Sequence, residues 1–168
     1  MGLPADILAA RVRNELEICR RSLRHRLDVQ PGPEGVFPVE IDVTLVKTPG
    51  PVMRAGKVAH AYEHQLKIIV TGEYPYEKPI VRWQSPIFHP NIMLARDGGY
   101  VCTKLLDDWS FSSNLSSFVK GLESLLMNPN PENPYGSESC MTAAGYFREH
   151  KYCPPVVVAE APAPRVLG

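Results

Sequence analysis

Between Gln30 and Gln84 strand-like runs follow one another across turns too short to hold a helix. A parallel pair needs a crossover of about a dozen residues or more, so this spacing favours antiparallel pairing over a βαβ sheet. Residues 39–47 alternate cleanly, with Val39, Ile41, Val43 and Leu45 on one face and Glu40, Asp42 and Thr44 on the other. That period of two is the mark of a half-buried strand. Residues 48–51 then turn the chain. A run over 59–70 alternates through Leu66, Ile68 and Val70, and a short run over 79–84 holds Val81 and Trp83.

Helical periodicity brackets these strands. Leu8, Val12, Leu16, Cys19, Leu23 and Leu27 recur at steps of four and three and predict an amphipathic helix over residues 5–27, with Cys19 as a small core hydrophobe. Its other faces carry Arg11, Arg13, Arg20, Arg21, Arg24 and Arg26 against few acids. Such a face is either simply solvated or a dock for an acidic partner. Leu115, Phe118, Val119, Leu122, Leu125 and Leu126 predict a second helix over 114–127, stopped by the proline-rich run 128–134; a shorter helix is expected around 137–144. The order gives an α+β domain, an N-terminal helix and an antiparallel meander of about four strands followed by helices. We expect the domain to span residues 1–153, with a Pro/Ala-rich tail over 154–168.

Composition narrows the function. The formal net charge is zero, which gives no general attraction for nucleic acid or an anionic membrane. No apolar run is long enough for a membrane span, and the first ten residues lack the basic-then-apolar pattern of a secretory leader, so a cytoplasmic location is expected. Cys19, Cys102, Cys140 and Cys153 contain no CxxC pair and are expected as free thiols. Cys140, His150 and Cys153 fit no closed structural zinc spacing, so no metal is expected.

Residues 85–109 lose all periodicity and hold His89-Pro90-Asn91, Gly98-Gly99 and Cys102. An irregular stretch of that length inside a compact domain is usually functional, and a loop thiol among polar neighbours is a better nucleophile candidate than one on a core stripe. Tyr74-Pro75-Tyr76-Glu77-Lys78-Pro79, Val81, Trp83, the 86–92 run Pro-Ile-Phe-His-Pro-Asn-Ile, Cys102, Trp109 and the 128–134 run Asn-Pro-Asn-Pro-Glu-Asn-Pro stand in one order. Together they resemble the ubiquitin-conjugating enzyme family: in element order over residues 5–153, in detail over 74–134. The sequence departs from the family in a longer interval between His89 and Cys102, a shorter one between Cys102 and Trp109, and reduced final helices. These departures point to a compact, divergent member and admit a modifier other than ubiquitin.

The resemblance implies a transferase. Cys102 would take ubiquitin or a ubiquitin-like protein from an activating enzyme as a thioester, and a substrate lysine amine would then form an isopeptide bond. This chain needs no cofactor for that. Asn91 is implied as an oxyanion donor or as a brace of the active-site loop, with a simple turn-forming role as the plainer reading. His89 is assigned to scaffolding. Asn133 stands where many members place an acid; an amide can accept a hydrogen bond from the lysine but cannot take its proton. Deprotonation would then rest on desolvation, or on Asp107, Asp108 or Glu132. Tyr76, Phe111 and Ser112 stand where the family meets its ligase, RING-type among the candidates, and partial core burial is the alternative for the two aromatics. Arg11, Arg13 and Arg20 fall where the activating enzyme docks. Rival readings are a modifier-binding module without catalysis, against which the presence of Cys102 weighs, and an unrelated cysteine hydrolase.

Overall fold

A computed structural model describes residues 2–102, 104 and 106–155; the expected tail lies outside this range from residue 156 onward. Helix α1 (Ala5–Ser22) leads into strand β1 (Arg26–Val29), then β2 (Val39–Leu45), β3 (Gly50–Arg54), β4 (Lys57–Ala61), β5 (His64–Val70) and β6 (Ile80–Trp83). The irregular stretch follows, then helices α2 (Leu115–Met127) and α3 (Glu138–Glu149). Strands β1-β2-β5-β6 form one antiparallel sheet, and β3-β4 form a separate hairpin inside the β2–β5 connection. The expected four-stranded meander is therefore present, with an added hairpin.

Alternation decides which face is buried. Ile41, Val43 and Leu45 of β2, Leu66, Ile68 and Val70 of β5, and Val81 and Trp83 of β6 are all at most 3% exposed. They meet Leu8, Val12, Leu16 and Cys19 of α1 and Leu115, Phe118, Val119, Leu122, Leu125 and Leu126 of α2 in one core. Full burial of each such large side chain contributes about 1.5–3 kcal/mol, and this core holds both helices to one face of the sheet. The opposite face keeps charges, including the Lys67–Glu40 ion pair at 3.2 Å. A polar latch adds specificity at the sheet edge. His25 accepts the Val46 N–H at Nδ1 (3.0 Å) and meets the Glu123 carboxylate of α2 through Nε2.

Several element boundaries differ from the sequence reading, and the expected 48–51 turn gives way to β3 at Gly50. Helix α1 ends at Ser22 rather than at 27, because Leu23 is already extended (φ −111°, ψ 145°) and Arg26–Val29 pairs with β2. Leu27 is buried as an alternate strand residue, so it continued the helical spacing only by coincidence. The run over 59–70 is two strands, β4 and β5, parted at Tyr62-Glu63. The third helix is also longer than expected. Ser137 caps α3 by accepting the Cys140 N–H, and Phe147 and Ala143 pack with Phe88, Val58 and Tyr152 in a second cluster.

Candidate active site

The irregular stretch is folded by its own backbone bonds. Residues 92–101 double back: Met93 N–H donates to Tyr100 O (2.9 Å), Gly99 N–H to Leu94 O (3.0 Å), and Ile92 bridges to Val101. A single 3-10 turn at Ala95–Asp97 fills the bend, and Gly98 and Gly99 both take positive φ. At Gly99 this is obligatory twice over, since a Cβ there would lie 2.4 Å from the Trp83 carbonyl oxygen. Trp83 N–H donates to Gly99 O at 2.7 Å, and Arg82 bridges to Tyr100 while its guanidinium lies 3.8 Å from that ring's centre. The lengthened interval before Cys102 is thus a loop stitched to the edge of β6.

Cys102 follows directly. Its N–H donates to Asn91 O at 2.9 Å, and the residue is 7% exposed, so approach to the thiol is restricted. Asn91 is fully buried and its amide is fully used. Nδ2 donates to Asn130 O and to Asn133 O, both at 3.0 Å, and Oδ1 accepts the Asn130 N–H at 2.8 Å. It thereby ties the Cys102 segment to the loop after α2. Both amide protons are spent on carbonyls, which fits the brace role of Asn91 better than the oxyanion role.

His89 is the other strut. Nδ1 accepts the Asn91 N–H (3.0 Å), so the ring proton sits on Nε2 and donates to Leu125 O (2.8 Å). Burial drives its pKa down to about 4, leaving the ring neutral with both nitrogens occupied. Asn133 is exposed; its backbone carbonyl belongs to the Asn91 network. Tyr135 was not singled out from the sequence, yet its N–H donates to Pro90 O. Burial first, and the neighbouring Cys102 second, raise its phenol pKa. Its position just after the 128–134 run was the only signal available.

Downstream, Trp109 donates its indole N–H to Pro75 O (2.9 Å) and packs on Tyr74 and Phe118, joining the Tyr-Pro flap to α2. Tyr76 and Phe111 pack in a tilted pair with ring centres 5.1 Å apart and remain about half exposed, so partial core burial does not account for them. Ser112 is exposed, and its Oγ lies 2.8 Å from that of Ser110. Of the three N-terminal arginines, Arg13 is 62% exposed and pairs with Glu34, and Arg20 is exposed as well. Arg20 turns back to Leu27 O, and Arg11 turns to Phe111 O and Ser113 O. A groove of about 590 Å³ runs between the 106–113 loop and α2, lined by Leu106, Asp108, Trp109, Ser117, Gly121 and Asn130. One lining residue, Asn130, is bonded to Asn91, whose carbonyl receives the Cys102 N–H. Among the described residues no three His, Cys, Asp or Glu side chains gather as a metal site, and no helix is long and apolar enough to cross a membrane. Cys140 is buried and donates its thiol to Ile92 O (3.4 Å), whereas Cys153 is exposed.

An antiparallel sheet covered on one face by helices, with a loop cysteine braced by a His-Pro-Asn triplet, defines a known class of folded domain. The family model described as ubiquitin-conjugating enzyme matches residues 52–151, and the chain belongs to that family. It is 41% identical over 71 residues to the Nedd8-conjugating enzyme UbcE2M of Drosophila melanogaster, covering 42% of this chain and 38% of that protein. It is 37% identical over 87 residues to ubiquitin-conjugating enzyme E2 3 of Arabidopsis thaliana, covering 52% of this chain and 54% of that protein. The chain spans about half the length or less of these curated relatives. Among solved structures it resembles S. cerevisiae Ubc12 with a TM-score of 0.63 and 26% identity, over 84% of this chain and 71% of that one.

Proposed function

We propose that this protein is a conjugating transferase that carries ubiquitin or a ubiquitin-like protein as a thioester on Cys102. In the first step the Cys102 thiolate attacks the modifier's C-terminal carbonyl on the activating enzyme, whose own thiolate leaves. In the second a substrate lysine amine attacks the new thioester, the C–N bond forms as the C–S bond breaks, and the amine's proton passes to solvent or a carboxylate. A thioester suits this role because it is activated toward amines yet persists long enough for delivery.

The observation that carries this reading is that Cys102 is held in its loop by the Asn91 carbonyl, in a network braced by His89 whose member Asn130 also lines the groove. That groove is the natural path for a modifier's tail. Asp108 lines it, whereas Glu132 is paired with Arg148 at 3.8 Å, so Asp108 is the carboxylate assigned here to receive the amine's proton. Tyr76 and Phe111, with Ser112 beside them, form the dock for a ligase, RING-type among the candidates; exposed aromatics of this kind serve as binding hot spots. The activating enzyme meets the basic outer face of α1 through Arg13. The relatives' names divide between Nedd8 and ubiquitin, so both modifiers are candidates.

The test is charging. The protein is incubated with ATP, each modifier and its cognate activating enzyme, and products are separated without reductant. A thiol-sensitive adduct is expected, absent in Cys102→Ala. Charging that survives Cys102→Ala but disappears on substitution of Cys140 or Cys153 overturns the assignment.

A further inference from the structure

Arg11 does something the basic face of α1 does not explain. It lies one helical turn before Glu15, on the inner side of α1, and its side chain is 24% exposed. Its Nη2 donates to two carbonyls of the loop that follows Cys102, Phe111 O at 2.9 Å and Ser113 O at 3.0 Å. Its guanidinium also lies 5.0 Å from the Phe111 ring centre and 5.7 Å from that of Tyr74. Nε sits 3.7 Å from Glu15, a carboxylate only 7% exposed as a residue, which also receives the Tyr74 hydroxyl (3.0 and 2.8 Å to its two oxygens).

These contacts close a ring. Glu15 fixes Arg11 and Tyr74 together; Tyr74 packs on Trp109; Trp109 bonds to Pro75; and the loop beyond Trp109 returns to Arg11. A buried carboxylate without a nearby cation is costly, so Arg11 is held inward by Glu15 and cannot be withdrawn cheaply to meet a partner. One nitrogen, Nη2, serves both carbonyls with two hydrogens fixed in the guanidinium plane, a direction the rotating ammonium of lysine does not hold. The ring's outward product is the exposed Tyr76–Phe111 pair.

We propose that Arg11 is a positioning residue for the ligase-stimulated step, setting the 106–113 loop so that Phe111 presents with Tyr76, rather than a docking contact for the activating enzyme. This rests on the transferase reading above. Arg11→Ala and Arg11→Lys are compared with Phe111→Ala and with the Arg11→Ala/Phe111→Ala double variant, titrating activating enzyme in charging and ligase in lysine discharge. The Michaelis constant for the activating enzyme is expected to stay within about twofold, and that for the ligase to rise about tenfold in both Arg11 variants, as loss of charge-assisted hydrogen bonds implies. The double variant should be no worse than Phe111→Ala alone, because Arg11 acts through Phe111. Charging slowed as much as discharge, additive losses, or a wild-type ligase constant in Arg11→Lys would each overturn the proposal. Amide NMR gives a readout independent of activity. In Arg11→Lys, which keeps a cation beside Glu15, the resonances of residues 110–114 and the Trp109 indole should move while those of α3 do not. Unmoved loop resonances overturn the proposal. A wild-type protein that never charges overturns the transferase reading instead, and the NMR result still decides the role of Arg11 in the loop.

Discussion

Removing the Asn91 side chain separates its two possible duties. Asn91→Ala takes away three hydrogen bonds: two from Nδ2 to Asn130 O and Asn133 O, and one from the Asn130 N–H to Oδ1. At about 0.5–1.5 kcal/mol net for each, the loss is about 2–4 kcal/mol, because the side chain is buried and the abandoned groups gain only partial access to water. In a domain of this size that is a fall in melting temperature of about 5–15 °C. Urea titration measures the energy, and hydrogen exchange at the Asn130 amide shows whether the 128–134 loop has come loose. Asn91→Asp sharpens the test, since a carboxylate can still accept from Asn130 but faces two carbonyls with no proton to give. It should be no more stable than Asn91→Ala. If Asn91→Ala costs under about 0.5 kcal/mol and Asn130 stays protected, the brace argument is refuted. A discharge rate about 100- to 1,000-fold slower at unchanged stability would then assign the amide to the developing oxyanion.

Two further outcomes follow from buried groups in the same loop. His89 is neutral in the fold with its pKa near 4, against 6.5 when unfolded, so the unfolded chain binds the extra proton between those values. Stability from this group is therefore complete above about pH 6.5 and declines as pH falls toward about 4, by ~3 kcal/mol in all. His89→Gln should flatten that part of the profile, measured by urea unfolding at several pH values; an equal slope in both proteins would contradict it. Burial also depresses His64, which adds a slope of the same sign to both proteins. Gly99→Ala must place a Cβ 2.4 Å from the Trp83 carbonyl at φ 67°, and should destabilise by about 2–4 kcal/mol and slow charging of Cys102. Gly32→Ala, where a Cβ would meet nothing within 4 Å, is the control.

Where local chemistry was unambiguous, the sequence read correctly. Asn114 and the 128–134 proline run delimited α2, and the cap is a reciprocal one between Asn114 and Ser117. The alternation in β2 and β5 specified which face is buried because a one-residue slip would expose every apolar side chain. The β3–β4 hairpin stayed hidden for a physical reason. Its two-residue turn puts Ala55 (φ 49°) and Gly56 (φ 75°) both in the left-handed region, where Asn-Gly or Asp-Gly is the usual signal and Ala-Gly is a weak one. The end of α1 was equally hidden, since Leu27 satisfied both periods at once.

The sequence by itself determined the antiparallel order, the two long helices and the ordered motifs around Cys102, because each depends on short-range spacing. Only the tertiary structure decided how those motifs are used. That Asn91 spends both amide protons on the 128–134 loop, that Asp108 rather than Glu132 lines the groove, and that Arg11 is turned inward while Arg13 is not, all depend on groups tens of residues apart in sequence. Local periodicity holds no record of such partners; the packing of α1 and α2 on one sheet face brings them together.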